Sequence, residues 1–291
     1  METTKGGSIY ETLREVFGFE TFREGQREVI EKILGGHSTL AVFPTGSGKS
    51  LCYQLSALHL PGVTLVISPL IALMKDQIDF LERHHVAAAR LDSSVGVEEY
   101  KRINAALQGG SLKLLYVAPE RFSNERFLHR LRRLNIGLMV IDEAHCISEW
   151  GHNFRPDYLK LARIARSLEI RRVLTLTATA TEAVAADICE EFSIAPDAFI
   201  HTGFHRPNLT LRVTHATGAG QLPLLLARLK ARPRGATIVY TTLQRTAEQI
   251  ATALQKEGFA ARPYHAGLDT EERTATQEWF IKADAGPRPA R

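Results

Sequence analysis

Cysteine is scarce in this 291-residue chain, with three residues at positions 52, 146 and 189. Far apart and odd in number, they exclude both a disulfide framework and a four-ligand zinc knot. That usage points to a reducing cytoplasm. Long apolar runs are also missing: none reaches the roughly 18 residues that a membrane span needs. The opening METTKGGSIYETLREVF is too polar and acidic for a signal peptide, so a soluble, non-exported protein with no membrane partner is expected. Internal repeats are absent, and the only compositionally biased tract is the terminal ADAGPRPAR. Excess charge is small, a net +4 from 36 basic and 32 acidic residues. With a pI near 9.0 it suits a nucleic-acid binder, but it suits many unrelated enzymes as well.

What is present is ordinary globular composition, 44% hydrophobic and 23% charged, with length for one large core and part of another. Short β-branched and apolar runs recur at TLAVF (39), VTLVI (63), VAAARL (86), KLLYV (113), IGLMVI (136) and RVLTLT (172). They read as buried parallel strands. Between them lie helical patterns. Leu70, Leu73, Met74, Gln77, Ile78 and Leu81 form one apolar stripe, and Thr179 with Glu182 reads as a capping box. Alternating strands and helices predict an α/β fold, a doubly wound parallel sheet with helices on both faces. The first domain is expected over 1–205. A Pro-, Gly- and Thr-rich linker follows over 206–220, then a partial second α/β domain over 221–291. That second part shows helical patterns near 221–230, 243–256 and 270–282 and only two strand patterns, ATIVY (236) and AARPYH (260). Two parallel strands cannot cover their own faces or edges.

The stretch FPTGSGKS, residues 43–50, follows one strand and opens a helix, the setting a phosphate-binding loop requires. Gly46 and Gly48 let backbone N–H groups converge on an anion at the helix N-terminus, with Thr45 and Ser47 beside them. Lys49 would reach the β- and γ-phosphates, and the Ser50 hydroxyl would ligate Mg²⁺. The match is partial, because the usual pattern begins with glycine where this chain has Phe43. Downstream, VIDEAH places Asp142 at the end of a buried strand, where it would hold Mg²⁺ opposite Ser50, and Glu143 would polarise the attacking water. Lys49, Asp142 and Glu143 together imply nucleoside triphosphate hydrolysis.

With almost no spacer, the acidic pair runs into an aromatic, basic segment, DEAHCISEWGHNFRPDY, residues 142–158. Gly151, Asn153 and Pro156 interrupt regular structure there, which places Trp150 and Phe154 on a loop. As isolated aromatics they could equally be core.

Six segments, in order, resemble the RecQ-type DNA helicases of helicase superfamily 2: FGFETFREGQ (17–26), PTGSGKS (44–50), VISPLIALMKDQ (66–77), YVAPERF (116–122), DEAHCISEWGHNFRPDY and LTLTATAT (174–181). The resemblance implies RecA-like domains, ATP as the nucleotide, and single-stranded and partially duplex DNA as the partner. It further implies ATP-dependent 3′-to-5′ unwinding in DNA repair and recombination, in the cytoplasm at the nucleoid. By it, Phe19 would stack on adenine while Arg23 and Gln26 bond its edge. On chemistry alone, the same segment could be a helical hairpin with core phenylalanines. Trp150 and Phe154 would stack on bases and Arg155 would pair with a phosphate. His145 and His152 would relay between that loop and the γ-phosphate, and Thr177 and Thr179 would transmit hydrolysis to domain movement.

In the second part, IVYTTLQRTAEQIATAL (238–254) resembles the opening motif of the family's second motor domain, with Arg245 at an arginine position. YHAGL would set His265 and Gly267 near the DNA backbone. The A-T-x-A-F-G-M-G and Q-x-x-G-R-x-G-R motifs do not occur in the sequence, nor does a four-cysteine zinc module. Two readings follow: the truncated N-terminal motor portion of such a helicase, or a short ATP- and DNA-binding module that does not cycle.

Overall fold

The computed structural model describes residues 8–92, 95–148, 155–203, 208–233 and 235–283. The chain separates into two compact units, Met1–Asn208 and Leu209–Arg291.

The first unit is built on strands β1 (Thr39–Val42), β2 (Val63–Ile67), β3 (Ala88–Leu91), β4 (Leu114–Val117), β5 (Ile136–Ile141), β6 (Val173–Thr177) and β7 (Phe199–His201). They form one seven-stranded sheet in the order β3-β4-β2-β5-β6-β1-β7, and every pairing is parallel. The six strands expected from the apolar runs are present. The seventh is three residues long, too short for a periodic signal.

Because strand side chains alternate, each strand feeds two cores. Val63, Leu65 and Ile67 of β2 face one core together with Met139 and Ile141 of β5. Val66, Leu138 and Val140 face the other. The first core is closed by α5 (Val97–Gln108), α6 (Glu125–Leu131), α7 (Pro156–Ser167) and α8 (Glu182–Glu191). The second is closed by α1 (Ile9–Glu15), α2 (Gln26–Leu34), α3 (Lys49–His59) and α4 (Ile71–Arg83). A sheet covered on both faces buries its strands throughout, as in β1, β2, β4 and β6, so their residues are apolar or, at Thr39, Thr64, Thr175 and Thr177, β-branched.

Two local expectations are corrected. In α4, Met74, Ile78 and Leu81 are buried, but Leu70 and Leu73 at its start are exposed, so only the later turns of the stripe meet the core. The cap of α8 is Thr181, whose hydroxyl accepts from Val184 N at 3.3 Å. Thr179 instead donates its N–H to Thr177 Oγ1 at 3.2 Å, because the chain bends there before the helix starts.

The second unit contains α9 (Gln221–Lys230), α10 (Gln244–Lys256) and α11 (Thr270–Ala283), as the periodicity predicts. The two expected strands do not form: among the described residues of this unit none lies in a hydrogen-bonded strand. Ile238 and Tyr240 of the first are exposed, and without neighbouring strands or a covering helix an extended segment has nothing to pair with.

Gly137 marks a constraint within the large sheet. The β2–β5 register slips between Val63 and Thr64, so that Gly137 is the extra residue of a bulge. A Cβ there would lie 2.1 Å from the backbone oxygen of Pro61. Since that atom belongs to the main chain, Gly137→Ala is expected to destabilise the protein by about 1–3 kcal/mol. For a unit of this size that lowers the melting temperature by roughly 3–10 °C. Calorimetry of the variant beside its parent checks this, and an unchanged melt would mean that the bulge yields freely.

Candidate nucleotide site

The candidate residues gather at the C-terminal ends of the parallel strands, where open α/β sheets bind ligands. β1 runs into the loop 43–48. Phe43 extends the ladder by one bond, donating its N–H to Thr177 O at 3.1 Å. Its ring is fully buried, and a Cβ on Gly25 would lie 2.6 Å from that ring. The residue that departs from the usual glycine is therefore a core anchor, and the loop turns after it. Gly46 and Gly48 provide the turn with φ of 84° and 83°, a region that a side chain makes unfavourable. Lys49 then starts α3 and curls its Nζ back onto the carbonyls of Phe43 (3.0 Å) and Pro44 (3.4 Å).

The adenine-motif residues meet this loop directly. Arg23 donates through its guanidinium to Gly46 O. Gln26 is buried with its amide committed at both ends: Oε1 accepts from Arg23 N at 2.8 Å, and Nε2 donates to Ser47 O at 3.2 Å and Gly48 O at 2.9 Å. Reading a base edge would require Gln26 to release one of these bonds. Gly48 has a second reason to be glycine, since its Cβ would lie 2.6 Å from Gln26 Nε2. Phe19 is 43% exposed, available as a stacking face.

β5 delivers the acidic pair. Asp142 N donates to Ile67 O at 2.9 Å. The Asp142 carboxylate accepts from Glu143 N at 3.0 Å on Oδ1 and from Ser68 Oγ at 3.3 Å on Oδ2. Burial, followed by the neighbouring Glu143 charge, pushes the Asp142 carboxyl up to about 6. Lys49 moves the opposite way for the same reason: burial lowers it, against the pull of Glu143 and Asp142. Glu143 has φ 51° and ψ 43°, a left-handed conformation unusual for a non-glycine residue. His145 Nδ1 lies 2.9 Å from Thr177 Oγ1 and 3.3 Å from Glu143 Oε2, and burial holds its imidazole below the ordinary range. Thr177 Oγ1 in turn accepts from Thr179 N. The acidic pair, His145 and the Thr177–Thr179 segment thus form one bonded cluster.

Arg155 also joins it. Its N–H donates to Cys146 O at 3.0 Å, and its charge acts on His145. Trp150, His152 and Phe154 lie outside the described residues. His265 belongs to the second unit, nearly buried, with Nε2 3.4 Å from Glu248 Oε1. Sequence reading missed three contributors: Ser68 on Asp142, the buried Tyr158 whose hydroxyl donates to Asp142 O at 3.1 Å, and the anchoring role of Phe43. Ser68 and Tyr158 both fall inside the motif segments, but nothing in the sequence tells which atoms they reach.

A nucleotide with its cation fits these residues. The site offers hard oxygen donors, the Asp142 carboxylate and the Ser50 hydroxyl, of the kind Mg²⁺ prefers. Its buried carboxylate is short of positive charge, and Ser47 Oγ is buried without a partner in the cradle. Among the described residues no group of three or more His, Cys, Asp or Glu could hold a metal.

The fold and the residues at its strand ends define a parallel-sheet α/β protein with a candidate nucleotide site. A profile of the DEAD/DEAH box helicases matches residues 23–188, and the chain belongs to that family. It is 40% identical over 271 residues to the ATP-dependent DNA helicase RecQ of Pasteurella multocida, covering 93% of this chain and 42% of that protein. It is 41% identical to RecQ of Bacillus subtilis, covering 92% and 46%. The probable helicase RecS of B. subtilis is 38% identical, with 94% and 55% covered. The chain therefore spans about half the length of these relatives or less. Among solved structures, the DNA-bound helicase MrfA superposes with a TM-score of 0.70 at 18% identity, covering 96% of this chain and 41% of that one. Mycobacterium smegmatis Lhr, bound to single-stranded DNA and AMP-PNP, gives 0.61 at 18%, covering 94% and 40%. At these identities the likeness concerns the fold, and it agrees with the RecA-like architecture. No helix among the described residues is long and apolar enough to cross a membrane.

The raised Asp142 pKa carries a sign that can be tested without nucleotide. The folded value, about 6, lies above the ordinary 3.8, so protonation favours the fold. The stabilisation is complete below about pH 4 and is lost as pH rises through about 6. Asp142→Asn is therefore expected to raise the stability of the ligand-free protein by about 1–2 kcal/mol at pH 8. The gain should shrink towards zero near pH 4. Melting curves of both proteins across that range test it; a variant less stable than its parent at pH 8 would show that the carboxylate is well compensated.

Proposed function

We propose that this chain is the nucleotide-binding motor portion of a RecQ-type DNA helicase, coupling ATP hydrolysis to 3′-to-5′ movement on single-stranded DNA and to unwinding of partially duplex DNA. The observation that carries the reading is the bonded cluster of Asp142, Glu143, His145 and Thr177 at the strand ends, beside a phosphate loop to which Lys49, Arg23 and Gln26 are latched. The ATP-dependent DNA helicases RecQ to which the chain is about 40% identical support ATP and DNA as its ligands, and we place its work in DNA repair and recombination.

In this reading Phe19 stacks on the adenine and Arg23 turns to its edge. The backbone N–H groups from Thr45 to Ser50 surround the phosphates, and Lys49 leaves its two carbonyls for the β- and γ-oxygens. Mg²⁺, held by Ser50 and Asp142, would neutralise charge on the phosphates. Glu143 takes the proton of the attacking water. His145 senses the γ-phosphate end of the site and Thr177 passes the change on to Thr179. Arg155 pairs with a DNA phosphate, beside Trp150, Phe154 and His152 as base-stacking and relay groups, and His265 meets the DNA backbone from the second unit.

Steady-state ATP hydrolysis with and without an oligo-dT strand tests the proposal. Turnover is expected to be stimulated by the strand. In Lys49→Ala it should fall at least a hundredfold, since the lysine meets charge that grows in the transition state. Turnover surviving in that variant would remove the phosphate-site assignment. Mg-ATP and DNA binding without turnover would favour the second reading, a binding module that does not cycle.

A further inference from the structure

The bond from Tyr158 Oη to Asp142 O reaches the backbone of the residue that presents the site's buried carboxylate. The carbonyl of Asp142 and the N–H of Glu143 are the two ends of one planar peptide group. The N–H end donates to Asp142 Oδ1 at 3.0 Å, and the carbonyl end accepts from Tyr158 at 3.1 Å. That peptide also leads into Glu143, whose φ of 51° holds its side chain towards His145. A tilt of this one plane therefore swings both acidic groups together. Tyr158 is fully buried, so its ring has one seat and little freedom to follow anything except its own helix.

The other end of the lever is equally defined. Tyr158 lies in the first turn of α7, with its N–H on Arg155 O at 2.9 Å. Pro156 at the start of the helix fixes the backbone between them. Arg155 N is held by Cys146 O, and the Arg155 guanidinium acts on both His145 and Cys146. The route from Arg155 to Asp142 is thus two hydrogen bonds long, Tyr158 N–H to Arg155 O and Tyr158 Oη to Asp142 O. A second anchor lies elsewhere: Ser148 Oγ donates to Asp187 Oδ2 of α8 at 2.6 Å.

We infer that Tyr158 is the positioning residue through which DNA engagement at Arg155 is communicated to the Asp142–Glu143 peptide, and hence to nucleotide. The inference rests on the functional reading above and adds the route of its regulation. It predicts a thermodynamic coupling that should disappear with one hydroxyl group.

The test measures binding, so it does not depend on turnover by this chain. The affinity of a fluorescent, non-hydrolysable ATP analogue with Mg²⁺ is measured with and without saturating oligo-dT, and the converse experiment supplies the same factor by linkage. In the parent chain the factor is expected to be at least about fivefold. In Tyr158→Phe, which keeps the ring in its seat, it should fall to within about twofold of unity while the Mg-dependent analogue still binds. A cooperative melt within a few degrees of the parent checks that the variant folds. Ser148→Ala releases the other anchor and should retain the parent's factor to within about twofold.

A parent-like factor in Tyr158→Phe would overturn the inference. So would loss of the factor in Ser148→Ala alone, which would assign the route to α8. A parent chain that binds both probes without coupling also overturns it, yet leaves the ATP and DNA reading standing. A parent that binds neither probe removes that reading first, and the inference with it.

Discussion

A carboxylate kept where water is scarce governs much of the first unit. Asp142 ends a strand whose last five residues are buried. With its Oδ1 on Glu143 N–H and its Oδ2 on Ser68, it still remains undercompensated, with its pKa pushed up to about 6. Burying an ionisable group in this way is unfavourable for the ligand-free fold. The surrounding structure holds it in place by rigid means: a parallel sheet packed on both faces, a peptide plane fixed from two sides, and a lysine that is itself made less basic by burial. Such a site has its strongest interactions still to make, and polyvalent phosphate with a hard cation is the chemistry that would make them.

The phosphate loop is held in shape by bonds of its own. Lys49 finds substitute acceptors in two loop carbonyls, and Gln26 satisfies two more. These bonds keep the loop near its working shape, which lowers the ordering entropy lost on binding. On the proposed reading they also compete with ligand contacts, because Lys49 and Gln26 would have to let go before touching phosphate or base. Preorganisation and competition are supplied here by the same side chains.

Much of this was legible in the sequence, for physical reasons. A doubly covered parallel sheet writes itself as unbroken apolar runs, so six strands could be read directly. GKS after a strand and DE at the end of another carry enough chemistry to locate the two halves of the site. What could not be read was direction. Phe43 looks like a departure from a glycine pattern until its ring is seen against Gly25. Gln26 reads as a base contact, but the sequence does not tell that both ends of its amide are bonded to the protein, so that reading a base would cost one of those bonds. Thr179 has the right spacing for a cap, but Thr181 takes that place because Thr179 is already bonded to Thr177. Tyr158 is invisible as a functional residue, since a tyrosine two positions after proline in a helix looks like core, which it also is.

The second unit shows the reverse case, in which local pattern was right for helices and insufficient for strands. Helices satisfy their backbone internally, so α9, α10 and α11 form from their own periodicity. Strands need partners, and the extended segments around Leu211, Val213 and Tyr240 leave those side chains 89%, 100% and 90% exposed. Among the described residues of the unit only Ala251 and Leu254 belong to the buried apolar set, both on α10. Two residues cannot offset the entropy of ordering a unit of this length. The first unit, by contrast, closes two cores on its own sheet, and every residue that the functional reading needs for nucleotide lies within it. On the proposed reading, Thr177, Thr179 and Arg155 are the residues that would carry its changes onward, and their backbone positions are fixed by bonds within the same unit.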